Sequence, residues 1–189
     1  MKKIIACIIV VLLTMTISVR SQSTNKLSIA PGYKLSWELS LGYNFDIKII
    51  ELNPDFRFDW SMGQKSSGEV TVKHDALLGA KKLINNFSNG DTITYLKATT
   101  TLVSGSVYDS LKAGMSVNIL SNDTLQELTF IRIDKLNVLI DGIGTSLVAL
   151  YAETDLKHKY WIWDNAETPF ILKMDLGWTI ELKSISTKK

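Results

Sequence analysis

Along most of this chain apolar and polar residues take turns one by one, the period of an extended strand with one covered face. The longest run starts at Tyr33 and puts Tyr33, Leu35, Trp37, Leu39, Leu41, Tyr43, Phe45 and Ile47 on one side, against Lys34, Ser36, Glu38, Ser40, Asn44, Asp46 and Lys48 on the other. At about 3.3 Å per residue a single strand of that length would reach roughly 50 Å. Gly42 is therefore expected either to bend the strand or to mark where two strands meet near Gly42-Tyr43-Asn44. In both cases the apolar side has to be covered, since each large apolar group left in water forfeits about 1.5–3 kcal/mol.

Shorter segments repeat the alternation. Phe56, Phe58, Trp60 and Met62 oppose Asp55, Arg57, Asp59 and Ser61, and Val70 and Val72 oppose Glu69, Thr71 and Lys73. Residues 92–103 are rich in Thr and β-branched side chains, which suits a half-exposed pleat. Strands are expected over 125–133 and 136–140, and Asp141-Gly142 signals a two-residue hairpin into 144–152. The last strands are 160–163, then Phe170, Leu172, Met174 and Leu176 alternating with Ile171, Lys173 and Asp175, and finally Trp178, Ile180 and Leu182; Pro169 stands where a strand can tolerate it, at its start.

Two segments predict helix. Leu77, Leu78, Ala80, Leu83, Ile84 and Phe87 recur at helical spacing over about 75–88, with Asp75 as a cap and Gly90 beyond the end. A shorter helix is expected over about 104–113, with Ser104 as N-cap, Val107, Tyr108 and Leu111 inward, and Gly114 as its stop. About ten strands and two helices predict a mainly β protein: a mostly antiparallel curved sheet, half-barrel or sandwich, with the longer helix packed on it.

The amino-terminal residues break the alternation. Lys2 and Lys3 precede an apolar run from Ile4 to Leu13, which fades through Thr14, Thr16 and Ser18 to the small-x-small exit Val19-Arg20-Ser21. This is the pattern of a secretory signal peptide, 1–21, and it falls short of the about twenty residues that span a bilayer. No stable transmembrane anchor is expected after cleavage, and the protein is expected in the periplasm or secreted. Of 189 residues, removing 21 leaves 168, enough for one β-rich domain, 22–189, that buries roughly 70% of its unfolded surface. Charge changes too. The full chain has 21 basic and 19 acidic residues, but Lys2, Lys3 and Arg20 leave with the leader, so 18 basic face 19 acidic. Bulk charge then gives no reason to expect a nucleic-acid partner. Cys7, the one cysteine, lies inside the leader run, so the mature fold is held by its core and not by disulfides.

Chemistry is sparse. Histidines number two, His74 and His158, with no zinc-type spacing between them. His74 falls on the apolar phase of its strand and reads as an inward or strand-end residue; His158, between Lys157 and Lys159, reads as a solvated turn residue. Neither has a serine elbow to serve. Asp141-Gly142-Ile143-Gly144-Thr145 lacks the hydroxyl residue that should follow the aspartate of an aspartic protease. The segment 85–91 has Phe87 where a calcium loop needs an oxygen ligand. Asn86-Phe87-Ser88 and Asn122-Asp123-Thr124 fit the glycosylation sequon, and chance in an Asn/Ser/Thr-rich chain accounts for both. No catalytic residue, metal ligand or cofactor is assigned.

Aromatic residues remain. Of five tryptophans, Trp37, Trp60, Trp161 and Trp163 are the candidate ligand contacts, because Tyr160-Trp161-Ile162-Trp163 is apolar on both faces where a one-sided sheet needs only one. The stretch from Tyr160-Trp161-Ile162-Trp163-Asp164-Asn165 through Thr168-Pro169-Phe170-Ile171-Leu172-Lys173-Met174 to Trp178-Thr179-Ile180-Glu181-Leu182 resembles the closing strands of uncharacterised secreted β-rich bacterial proteins, domains of unknown function related to periplasmic half-barrels. That resemblance implies architecture and no activity.

The leading expectation is a non-enzymatic exported domain whose concave aromatic face binds a hydrophobic small molecule or an envelope component. Two alternatives stand beside it: an envelope enzyme acting on glycan or peptide through paired carboxylates such as Asp59 and Asp164, and a purely structural or adhesion module.

Overall fold

A computed structural model describes residues 27–64 and 66–187. The expected leader, with Cys7, lies outside the described residues. Twelve strands and two helices follow one another as β1 (Lys34–Leu39), β2 (Asn44–Glu51), β3 (Phe56–Met62), β4 (Ser66–Val72), α1 (His74–Gly79), β5 (Lys82–Leu83), β6 (Thr92–Tyr95), α2 (Gly105–Lys112), β7 (Val117–Ser121), β8 (Thr124–Ile140), β9 (Ile143–Thr154), β10 (Lys159–Trp163), β11 (Ile171–Asp175) and β12 (Thr179–Ser186). The protein is mainly β, as the alternation predicts.

The strands form one sheet in the order β5-β7-β8-β9-β10-β11-β12-β1-β2-β3-β4-β6. Along one edge β12 pairs with β1 throughout; along the other it pairs first with β11, through Thr179 to Glu181, and then in parallel with the end of β8, through Ser184↔Leu139 and Ile185↔Ile140. That change of partner closes β8-β9-β10-β11-β12 into a ring of five strands, from which β1, β2, β3, β4 and β6 extend as an open, curved sheet. The ring is antiparallel except at the seam.

Both parts share one apolar cluster. Of the residues predicted to point inward from the first four strands, Leu35, Ile47, Phe56, Phe58, Val70 and Val72 have no exposed surface, and Ile49 joins them. Phe56 meets Phe170 of the segment leading into β11 edge-on, with ring centroids 5.6 Å apart.

Several expectations are sharpened or corrected. Residues 33–47 are two strands, not one: Leu39–Tyr43 turns back on itself with Gly42 at φ +86°, and Leu41, in phase with the buried side, is left exposed at the turn. Residues 125–140 are a single strand, broken in register only at Ile131, where a bulge lets the chain keep pairing with β9. Of residues 92–103 only the first four are strand. Asp141-Gly142 does form the hairpin, with both residues at positive φ (49° and 85°), as the two-residue turn requires.

The helix expected over 75–88 stops at Gly79. Its cap comes from Asp55, whose carboxylate accepts from the His74 backbone N–H at 2.9 Å and from Lys73 Nζ at 2.6 Å, and not from Asp75. Beyond Gly79 the backbone finds better partners in other strands: Leu120 N donates to Lys81 O (2.7 Å), Thr99 N to Lys82 O (2.8 Å) and Asn122 N to Leu83 O (3.1 Å). Long-range pairing thus overrides a local helical pattern. His74 is consequently the first residue of α1 and exposed, not inward; its Nδ1 donates to Pro54 O at 3.2 Å. His158 does lie in the β9–β10 turn, where its Nδ1 is 2.8 Å from Gln126 Oε1. α2 agrees with expectation, down to the Ser104 hydroxyl accepting from Val107 N and Gly114 at φ +75°.

Candidate functional site

An apolar cleft of about 250 Å³ is walled mainly by three neighbouring pieces of chain, with Met62, Thr100 and Thr101 completing the lining. The first is the β1–β2 hairpin, which supplies Trp37 and Leu39, Leu41 and Tyr43 from the turn, and Phe45. The second is the β11–β12 hairpin, with Ile171, Met174, Trp178 and Ile180. The third is the irregular segment Asn85–Phe87, which lies where the helix was expected to continue.

The two hairpin tips are held side by side by the β1–β12 ladder. Ser40 N donates to Thr179 O (2.9 Å), and Thr179 N donates back to Ser40 Oγ (3.1 Å). Tyr43 and Trp178 are therefore brought to the same mouth. The third wall is fixed by its backbone: Ile84 N donates to Thr99 O at 3.0 Å and Asn85 N to Asn122 Oδ1 at 3.0 Å. Phe87 then stacks on Phe45, with centroids 5.3 Å apart and planes 14° from parallel, and touches Trp60 at 5.1 Å. Among the described residues lining the cleft none carries a charge.

Of the four sequence-predicted contacts the structure brings one into this cleft. Trp37 lines it, and its indole N–H donates to Ile171 O at 3.0 Å, tying β1 to β11 across the core. Trp60 lies behind the wall, only 2% exposed, packed on Phe45 and Phe87. Trp163 is buried in β10 opposite Ala149.

Trp161 belongs to a separate cluster on the ring. Its ring lies 4.7 Å from Tyr151, the Lys173 ammonium stands over it at 5.2 Å, and its N–H donates to Asp134 Oδ2 at 2.9 Å. Arg132 both covers Tyr151 at 4.3 Å and grips Asp134. The Arg132 guanidinium and the Trp161 N–H hold the Asp134 carboxyl below the usual carboxylate range. The cluster also bonds outward, the Tyr151 hydroxyl to Glu153 at 3.0 Å and the Lys173 ammonium to Glu181 at 3.1 Å, and none of its residues lines the cleft.

Tyr43, Phe87 and Trp178, which sequence reasoning left out, are the aromatic residues that join Trp37 and Phe45. Tyr43 and Trp178 stood on the apolar phase of their segments; that their hairpins are neighbours is set by a β1–β12 pairing between opposite ends of the described chain. Phe87 carried no signal beyond an incorrect helical one.

The candidate carboxylates are not gathered into a cleft. Asp59 is exposed in β3, opposite Lys48 and Glu69. Asp164 follows β10 and serves α2: it accepts from the Tyr108 hydroxyl (2.7 Å) and from Lys112 Nζ at both oxygens (2.7 Å each). Burial pushes its carboxyl up, but Lys112 and Tyr108 outweigh that and leave it below the ordinary value, an anion built into the structure. Burial, reinforced by the Asp164 bond, pushes the Tyr108 hydroxyl well above the usual tyrosine range. Among the described residues no group of three or more His, Cys, Asp or Glu side chains is placed to hold a metal ion, and no helix is long and apolar enough to cross a membrane.

Compared with known proteins, the chain matches no family model, no curated protein and no solved structure. The cleft must be interpreted from its own chemistry.

Proposed function

We propose that this chain is an exported, non-enzymatic β domain of the periplasm or extracellular space that holds a hydrophobic small molecule, or an apolar part of an envelope component, in the cleft between the β1–β2 and β11–β12 hairpins. The observation that carries the reading is the lining: Trp37, Tyr43, Phe45, Phe87 and Trp178 around a concave, uncharged space of about 250 Å³. Binding sites for small molecules are concave and mostly apolar, with a few polar groups for orientation, and aromatic rings supply large contact area with few rotatable bonds. The leader pattern and the resemblance of residues 160–182 to secreted bacterial proteins support the export half of the proposal.

The test is titration with phenylnaphthylamine, a neutral hydrophobic probe whose fluorescence rises on leaving water. Trp178→Ala removes a half-buried ring at the mouth without opening the core, and should weaken binding about tenfold, the equivalent of one aromatic contact and its buried area. Trp161→Ala, in the separate cluster, should leave probe affinity unchanged. Undiminished binding by Trp178→Ala, or loss on Trp161→Ala instead, would overturn the assignment of the cleft.

A further inference from the structure

We propose that the open edge of β8 is a docking site for an extended segment of another protein, one that alternates aliphatic with small polar residues and carries an acidic residue opposite Lys135. The surface is separate from the cleft, since no residue of this edge lines it.

The topology leaves the edge bare. On one side β8 pairs with β9 over most of its length, from Leu128↔Thr154 to Ile140↔Ile143. On the other side it has two short partners: β7, up to Val117↔Leu128, and β12, from Ser184↔Leu139 onward. Residues 129–138 between them have no strand beside them, and from Phe130 to Asn137 no backbone group on that side has a hydrogen-bond partner among the described residues. Every second residue of a strand turns its N–H and C=O toward a given neighbour, so this stretch presents a row of main-chain donors and acceptors with nothing to receive them.

Shape decides what can lie there. The ten residues 129–138, at about 3.3 Å each, give a slot of roughly 33 Å that is stopped by β7 at one end and by β12 at the other. A second copy pairing edge to edge through the same slot would bring a β8 of 17 residues flanked by its own β7 and β12, and these would collide at both ends. A single extended segment of about eight residues fits. Main-chain bonds then supply affinity, and alternate side chains supply specificity.

Side chains decide the chemistry. Ile131 and Ile133 are each 49% exposed, and Val148, which pairs with Lys135 and so shares a face with Ile133, is 36% exposed. Aliphatic groups gathered beside a bare strand edge gain by being covered. The exposed Lys135 ammonium stands among them with no acidic partner among the described residues, whereas Arg132 and Asp134, on the opposite face, satisfy each other at 2.9 Å. A guest strand therefore needs one carboxylate, opposite Lys135, and no charge opposite Arg132 and Asp134. The lysine and the bulge at Ile131 are also the devices by which sheets keep like edges from stacking without limit, so the slot takes one complementary segment and does not seed a fibre.

The experiment adds the acetylated, amidated peptide Thr-Ser-Glu-Thr-Val-Thr-Val-Thr, which in antiparallel register sets its glutamate opposite Lys135 and its first valine opposite Ile133, and follows amide hydrogen exchange residue by residue. Exchange should slow about tenfold or more at alternate amides of the stretch Phe130 to Asn137, saturating below about 1 mM peptide. Two further peptides, N-methylated at the odd or at the even residues, keep the side chains and block one edge each; one should bind like the parent and the other not at all. Lys135→Glu should weaken the parent about fivefold and should prefer the peptide with lysine in place of glutamate. Absence of saturable protection overturns the proposal, and equal binding by the two methylated peptides does so too, because adhesion through side chains alone would then suffice. Indifference to Lys135→Glu refutes the acidic partner. A dimer in sedimentation whose Phe130 to Asn137 amides are protected before any peptide is added gives the edge to a second copy and refutes the proposal as well. None of these outcomes bears on the cleft.

Discussion

Gly68 is the residue on which the wall behind the cleft depends. A Cβ added there would lie 2.4 Å from the Asp91 carbonyl oxygen, 2.7 Å from Trp60 Nε1 and 3.0 Å from Trp60 Cε2, where ordinary contact begins at 3.4 Å. Neither neighbour can retreat freely. Asp91 O accepts from Glu69 N at 2.9 Å at the point where β6 joins β4, and the Trp60 indole is enclosed by Phe45 and Phe87. Gly68→Ala therefore forces a shift of roughly 1 Å in a closed region, and overpacking of this kind costs about 1–3 kcal/mol. The reduced freedom of the unfolded chain returns only about 0.4–1 kcal/mol. The expected net is a loss of about 1–2 kcal/mol, read as a lower urea midpoint with an unchanged slope. At about 2–4 °C per kcal/mol for a domain of this size, the melting temperature should also fall by several degrees. Because Trp60 supports Phe87, the same variant should bind phenylnaphthylamine less tightly. Gly79→Ala, where nothing lies within 4 Å of the added carbon, is the matched control and should be neutral or slightly stabilising. Equal midpoints for Gly68→Ala and wild type would refute the close approach on which this reasoning stands.

Two further outcomes test other parts of the fold. Because the folded protein holds the Asp164 carboxyl below its unfolded value of 3.8, that group contributes stability at every pH above 3.8 and loses the contribution as pH falls through the lower folded value. Urea midpoints of Asp164→Asn should therefore lie below wild type at neutral pH and converge with it in acid; parallel curves would show that Asp164 is not held as an anion. At the β8–β9 hairpin, Asp141 sits at φ +49° and its carboxylate accepts from the Thr187 backbone N–H at 2.8 Å and from the Thr187 hydroxyl. Asp141→Val combines a β-branched residue at positive φ with loss of those bonds and should cost about 1–3 kcal/mol in urea melts, whereas Asp141→Asn, which tolerates the conformation, should cost less; equal effects would refute a conformational origin.

Strand after strand was legible because alternation is a local property, and the hairpins at Gly42 and Asp141-Gly142 carry their own turn chemistry. α2 was legible for the same reason, with cap and stop both inside the segment. The longer helix was not, since what ends it is the offer of backbone partners from Leu120, Asn122 and Thr99, remote in sequence and invisible to periodicity. The site was legible in kind more than in membership. Trp37 and the covered side of 33–47 were readable, but whether Trp161 or Trp178 stands near Trp37 depends on which hairpins lie edge to edge. The register shift between β10 and β11 at Trp161/Ile162 adds to this, since Tyr160, Ile162 and Trp163 all end buried while Trp161 keeps company with Arg132 and Lys173.

The switch of β12 from β11 to β8 has a temporal side. Residues 184 and 185 lock the seam while the same strand zips onto β1, about 150 residues earlier in the chain. A nascent polypeptide must therefore keep the edges of β1 and β8 unsatisfied until β12 has been synthesised, and non-local closure of this sort makes folding slow and late. Such a delay leaves bare strand edges that a holding chaperone would have to shield in the meantime.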